Sequence, residues 1–290
     1  MGSFHGANKR RRYFEGWYFK LQAEGGAVAL IPAMHITAAG QKSASLQIIT
    51  GGASARIDYP YEKFHAGRNG LRVTLGDSLF SAEGVRVRAE AEGLRVRGEV
   101  RFGPLTPLRY DIMGPFRYLP MQCFHSVFSI RHALSGSLLV NGVPLRFDGG
   151  TGYIEGDRGS SFPVRYAWTQ CCEDGACVML SVADIPLMGR TFSGVAGFVY
   201  LGGRELRLAT YLGARPGRIE KDLLSVRQGG YLLQAELLCA DRQPLSAAVE
   251  GGMTRVIHES LSARVRYRLY ENGRAKLDFV SRRAGFEYEY

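Results

Sequence analysis

What most restricts the fold of this chain is a scarcity of helical periodicity, combined with short runs of alternating apolar and polar residues that end at glycines. Between Gly67 and Phe102 the breaks fall at Gly70, Gly76, Gly84 and Gly93. Short strands at such spacing are the mark of an antiparallel meander or barrel. Within that stretch Arg86, Arg88, Arg95, Arg97 and Arg101 alternate with Val85, Val87, Leu94, Val96 and Val100, as they would on strands with one wet and one dry face. Asn141-Gly142 and Asn272-Gly273 supply the positive φ angles of tight hairpin turns. Pro104, Pro107, Pro115 and Pro120 make residues 103–120 a stiff extended passage rather than a central strand. Only residues 219–226 offer a short helical pattern.

A chain of 290 residues with 46% hydrophobic and 22% charged residues can bury a large core without metals or cross-links. The pattern fits an all-β protein of two antiparallel barrels or half-barrels, each of about 130 to 150 residues. The expected boundaries are 1–133 and 134–290. A closed barrel of this size can hold one small apolar ligand. The longest apolar run, residues 27–36, is interrupted by Pro32 and His35, so no transmembrane helix is expected. Residues 1–12 lack an apolar signal region and end in Lys9-Arg10-Arg11-Arg12, so a cytoplasmic location is the expectation. The five cysteines are odd in number and scattered, which argues against a disulfide framework and against a metal centre. The net charge of +10 is spread over strand faces without a stacking platform or recognition helix, so nucleic acid is not the expected partner. Peripheral contact with an anionic membrane fits the charge better. The oligomeric state is not legible.

One stretch breaks the local rules. Residues 149–170 concentrate glycines, aromatics and the carboxylates Glu155 and Asp157 between ordinary strands, and such a break often marks a site. On this reading the stretch opens the second barrel; a solvated crossing between domains is the bland alternative.

Phe14-Glu15-Gly16-Trp17-Tyr18-Phe19-Lys20, Ile112-Met113-Gly114-Pro115-Phe116, Tyr153-Ile154-Glu155, Phe162-Pro163, Trp168 with Gln170, and Ile257-His258-Glu259-Ser260-Leu261, in this order over nearly the whole chain, resemble the tocopherol cyclase family. The resemblance implies two lipocalin-like (calycin/AttH-like) β-barrel domains. It also implies acid-catalysed ring closure of a prenylated hydroquinone, with no cofactor and no metal. Alkene protonation calls for a carboxylic acid in a dry pocket; Asp157, Glu155 and Glu15 are the candidates. Aromatic faces shield the developing cation, a role open to Trp17, Tyr18, Tyr166 and Trp168. Gln170, His35 or His125 would orient the phenol and take its proton. Each has a plainer reading: the tryptophans as core, the histidines as satisfied barrel residues, Glu15 as an ion-pair partner. The chain departs from the family pattern at Gly156 and Arg158, where lysine and tryptophan are usual, and a guanidinium beside Asp157 would favour its carboxylate form. Two alternatives stand beside the cyclase: a non-catalytic carrier of an apolar ligand, and a hydratase in which water captures the cation.

Overall fold

The computed structural model describes residues 4–91, 93–173, 175–187 and 189–290. It forms two compact units. The first comprises Met1–Leu108, Cys123–Phe162 and Leu245–Val256; the second comprises Arg109–Gln122, Pro163–Pro244 and Ile257–Tyr290.

The first unit is built on β1 (Tyr13–Ala23), β2 (Gly26–Ile36), β3 (Lys42–Thr50), β4 (Ser54–Pro60), β5 (Phe64–Ala66), β6 (Arg72–Leu75), β7 (Ser78–Ser81), β8 (Gly84–Ala91), β9 (Leu94–Phe102), β10 (Cys123–Val140), β11 (Val143–Arg146) and β12 (Thr151–Gly159). They make one antiparallel sheet in the order 4-3-2-1-12-10-9-8-7-6-5, with β11 also on β10. The sheet closes on an apolar interior to which both ends contribute: the Phe19 ring lies 5.6 Å from Phe80 and 6.4 Å from Phe102, and Trp17 stacks on Phe64 at 6.2 Å. Val85, Val87, Leu94, Val96 and Val100 point inward and are buried, while the alternating arginines face out. The β10–β11 turn has Asn141 and Gly142 at φ 51° and 84°. The Asn141 side chain accepts from Arg95 N–H at 2.7 Å and donates to Gly93 C=O at 3.0 Å, so one hairpin tip secures its neighbour.

The second unit contains β13 (Tyr166–Glu173), β14 (Ala176–Leu187), β15 (Arg190–Leu201), β16 (Arg204–Ala209), β17 (Arg215–Glu220), β18 (Leu223–Gln228), β19 (Tyr231–Cys239) and β22 (Arg274–Tyr288), with most of β21 (Gly252–Glu271). The sheet order is 16-15-14-13-22-21-19-18-17, and β20 (Gln243–Val249) adds to β21. Its core includes Val178, Leu180, Leu224, Val226, Leu233, Val265, Tyr267 and Phe286. The proline passage is not a strand. Its short 3-10 turn, Gly114–Tyr118, belongs to this unit, where Arg207 donates to the Asp111 and Tyr110 carbonyls and Phe116 stacks on Phe192.

Three expectations are corrected. The boundary at 133/134 falls inside β10, because residues 123–140 run as one strand whose first half pairs with β12 and whose second half pairs with β9. The irregular stretch 149–170 does not open the second barrel: its first half is β12, inserted between β1 and β10 in the first sheet, and only its end enters β13. Residues 219–226 form a hairpin rather than a helix: β17 ends at Glu220, residues 221–222 turn, and Leu224 and Val226 of β18 reach the core at a period of two.

The cysteines also differ from expectation. Cys172 and Cys177 are directly opposite in the β13–β14 hairpin and form a disulfide, leaving Cys123, Cys171 and Cys239 free. Spacing alone could not show that the two thiols share a cross-strand position. Among the described residues no helix is long and apolar enough to cross a membrane. Thiol titration of denatured, unreduced protein should therefore count three free thiols. Reduction should lower stability by about 2 kcal/mol, the chain-entropy value for a loop this short, readable as a drop in Tm.

Candidate functional site

The strands β1, β2, β3 and β12 are buried on both faces. One face, carrying Trp17, Phe19, Leu21, Leu30 and Ile154, lines the core of the first unit. Because side chains alternate along a strand and directly paired residues share a face, the register fixes what stands on the other. His125 pairs with Asp157, Asp157 with Gly16, Gly16 with Ala33, and Ala33 with Ser45. Glu155 and Tyr153, two and four residues from Asp157, stand on the same face.

At the β10–β12 end of this row three ionisable groups meet. His125 Nδ1 is hydrogen-bonded to Asp157 Oδ1 at 3.0 Å, and its Nε2 lies 3.4 Å from Glu155 Oε2, an ion-pair contact without hydrogen-bond geometry. The Tyr153 hydroxyl donates to Glu155 Oε2, and Cys123 Sγ approaches Asp157 Oδ1 at 3.7 Å. The His125 and Asp157 side chains keep 16% and 21% of their surface open, whereas Glu155 keeps 8%. Burial by itself would discourage a charge on the imidazole. The Asp157 and Glu155 carboxylates outweigh it and hold His125 well above the ordinary histidine range. Burial, reinforced by Glu155, pushes the Tyr153 phenol well up, and burial with Asp157 does the same to the Cys123 thiol. Both therefore stay protonated as donors.

These three ligand-type groups lie within 4.8 Å of one another. A single metal ion fits them poorly, because the two carboxylates sit on opposite ring nitrogens and one ion reaches only one nitrogen of an imidazole. The arrangement suits a shared proton.

Arg158, whose position next to Asp157 raised the question of a silencing ion pair, faces the other way. Its guanidinium lies over the Phe124 ring at 4.5 Å, and among the described residues no ion pair joins it to Asp157 or Glu155. Gly156 is explained by packing: a Cβ there would sit 2.6 Å from Gly16 O and 3.0 Å from Phe128.

The other sequence candidates fall into three places. Tyr18 and His35 share the face of the trio; Tyr18 pairs with Glu155, and His35 Nε2 is 2.9 Å from Ser45 Oγ. Glu15 and Trp17 are on the opposite face. Glu15 accepts from Tyr13 O–H at 2.8 Å and from His5 N–H at 2.9 Å, while Trp17 packs in the core against Phe4 and Phe64. Neither is brought to Asp157, and the cause is strand parity. Tyr166, Trp168 and Gln170 are buried in the second unit on the face of β13 opposite its core residues Ala167 and Cys171. There Tyr166 O–H donates to Glu287, and Gln170 Nε2 approaches Cys172 Sγ at 3.8 Å. The sequence reading passed over Tyr153 and Cys123 as partners of the acids; the signal was their two-residue spacing from Glu155 and His125.

His132 is structural. Its Nδ1 lies 3.0 Å from Ser129 Oγ, its ring is 4.4 Å from Phe102, and Gly152 leaves room for it. Burial lowers its pKa to about 3, and burial followed by the Arg56 charge lowers His35 to about 4. The unfolded chain binds these protons below its ordinary value near 6.5, whereas the folded protein does not until the pH nears 3 to 4. Stability is thus full above about pH 6.5 and falls as pH drops below it. Each histidine should remove about 2 kcal/mol between pH 6.5 and 5. Denaturant melts at these pH values test this, and His132→Gln should lessen the pH dependence by that amount.

No protein-family model matches the chain, and no curated protein matches it. Solved structures do. A putative AttH from Nitrosomonas europaea superposes with a TM-score of 0.56 at 15% identity, over 100% of this chain and 95% of that one. Kievitone hydratase from Nectria haematococca gives 0.59 at 8% identity, over 99% and 96%. CghA crystallised with Sch210972 gives 0.59 at 11% identity, over 96% and 88%. At these identities the likeness is one of fold: the chain has the all-β AttH/lipocalin-like architecture along its full described length.

Proposed function

We propose that the protein is an enzyme that adds an O–H group across a carbon-carbon double bond of an apolar, prenyl-type substrate. In the tocopherol cyclase-like form of the reaction the O–H belongs to a hydroquinone on the same molecule and a ring closes. With water as the nucleophile the same groups would perform a hydration. The observation that carries this reading is His125 held between Asp157 and Glu155, one carboxylate at each ring nitrogen, on a largely buried sheet face.

The chemistry balances without an added reagent. The alkene π pair takes a proton and forms a C–H bond, a hydroxyl oxygen closes the C–O bond at the other carbon, and the hydroxyl proton returns to the trio. Nothing is oxidised or reduced. Asp157 borders Gly16, the single strand residue of β1 that is not buried, and is assigned delivery of the proton. The proton delivered is the one His125 holds, passed through the Asp157 carboxylate to the alkene, while Glu155, braced by Tyr153, stands at the far nitrogen. A cation stabilised by two carboxylates surrenders its proton reluctantly, so delivery must be coupled to attack by the hydroxyl, whose proton replaces the one lost. Water held off by buried Phe14 and Tyr18 cannot compete for the carbon centre in the cyclase form.

Incubation with prenylated hydroquinones in deuterium oxide should give a cyclised product carrying one carbon-bound deuterium. Asp157→Asn and His125→Gln should lower kcat by about 100-fold or more, the usual worth of a general acid or base. Arg158→Ala should stay within a few fold of wild type, because its guanidinium is on the opposite face. Binding without turnover by the wild type would contradict the enzyme reading and leave a carrier of apolar ligands.

A further inference from the structure

The row of paired residues that begins at His125 and Asp157 does not end in apolar packing. Beyond Asp157 it runs through Gly16 and Ala33 to Ser45, three strand spacings or about 14 Å. The floor is low because its two central residues have almost no side chain. A Cβ built on Gly16 would meet Ala33 Cβ at 3.2 Å and the Pro32 and Ala33 backbone at 3.7 to 4.0 Å, so no other side chain among the described residues crowds that position. Gly16 and Ile31 are partly open, although the strand residues on either side of them are buried. Phe14 flanks this floor on one side and Tyr18 on the other, each two residues from Gly16.

At the far end stands His35. It is 1% exposed, its Nε2 is engaged by Ser45 Oγ at 2.9 Å, and among the described residues its Nδ1 has no hydrogen-bond partner. A buried ring nitrogen left without a partner is destabilising, and proteins usually relieve such a cost with a ligand or an ordered water. Arg56 and Asp58, on β4 two strands away, are the charges whose fields reach His35; among the described residues neither forms a hydrogen bond to it. With its charge suppressed, the imidazole is a neutral hydrogen-bonding group on the same face as the trio.

We propose that His35, held by Ser45, forms a second polar subsite that binds a hydroxyl group of the substrate at the end of a short apolar trough floored by Gly16 and Ala33. This rests on the proposed function and narrows its substrate class: a molecule with a free hydroxyl about 10 to 14 Å from the double bond that reacts, counted from the strand spacing, joined by an unbranched or flat apolar segment that fits over glycine and alanine. A hydroxyl suits the site because it can donate to or accept from Nδ1, whichever tautomer Ser45 selects. His35 acts here in binding and orientation, and takes no part in moving the reacting proton.

The test is equilibrium binding, which does not depend on turnover. A prenylated hydroquinone and its dimethyl ether are titrated into the full chain by calorimetry. Wild type should prefer the free hydroxyl form by about 10-fold, the worth of one buried hydrogen bond. His35→Phe, which keeps the ring volume, should bind both forms within about 2-fold of each other, and Ser45→Ala should reduce the preference to an intermediate value. Equal binding of the two probes by wild type, a preference unchanged in a folded His35→Phe protein, or binding of neither probe would overturn the proposal. Circular dichroism and Tm confirm that the variants fold. Failure of the enzyme reading looks different: the hydroxyl preference persists and depends on His35, but no deuterium enters carbon.

Discussion

Everything assigned to the first unit depends on where β12 inserts. Residues 151–159 pair on one side with β1 and on the other with β10, so one strand from mid-chain joins the N-terminal strand to a strand more than a hundred residues away from it in sequence. That double pairing closes the sheet around Trp17, Phe19 and Ile154. Through strand parity it also sets Tyr153, Glu155 and Asp157 on the opposite face, against His125. A register slip of a single residue would turn the acids into the apolar core. The cross-strand aromatic contacts of Phe19 with Phe80 and Phe102 resist such a slip from the core side.

The electrostatics follow from that placement. An imidazole alone on a mostly buried face would be neutral, as His35 and His132 are. His125 is different because a carboxylate stands at each nitrogen, and the attraction of two nearby negative charges exceeds the cost of removing one positive charge from water. Three histidines in one unit are therefore driven apart by their neighbours: two kept uncharged and one kept charged. His35 and His125 hold these opposed states on one sheet face, a recurrent way of assigning acid, base and binding roles to similar groups.

Much of the fold was legible because β structure writes itself at short range. Alternation in residues 85–100 and the Asn-Gly pairs at 141–142 and 272–273 translate directly into strand faces and turns, and the all-β class followed. Topology was less legible. The proline passage, read as a stiff extended segment and not a central strand, is bound into the second unit by Arg207 and Phe192. The stretch 149–170 divides between two sheets, since nothing local distinguishes a strand that finishes one sheet from a strand that starts another. Of the site, Asp157, Glu155 and His125 were named from the sequence, but their convergence depends on a pairing between distant segments. Glu15 and Trp17 were named beside them and lie on the opposite face, a distinction of one residue in register. Arg158 was suspected of neutralising Asp157 from its adjacency, yet in a strand adjacency means opposite faces. The disulfide of Cys172 with Cys177 is a cross-strand relation of the same kind.

The central claim is that His125 carries a proton shared with Asp157 and Glu155 while the other buried histidines of the unit do not. Nitrogen-15 NMR of imidazole-labelled protein, with His125→Gln used to assign the resonance, reads this directly. A His125 signal that remains imidazolium-like through neutral pH and titrates well above pH 6.5 is the predicted result. A signal that titrates at or below 6.5 would contradict the account, since the two carboxylates would then not be holding the charge on which the proposed chemistry rests.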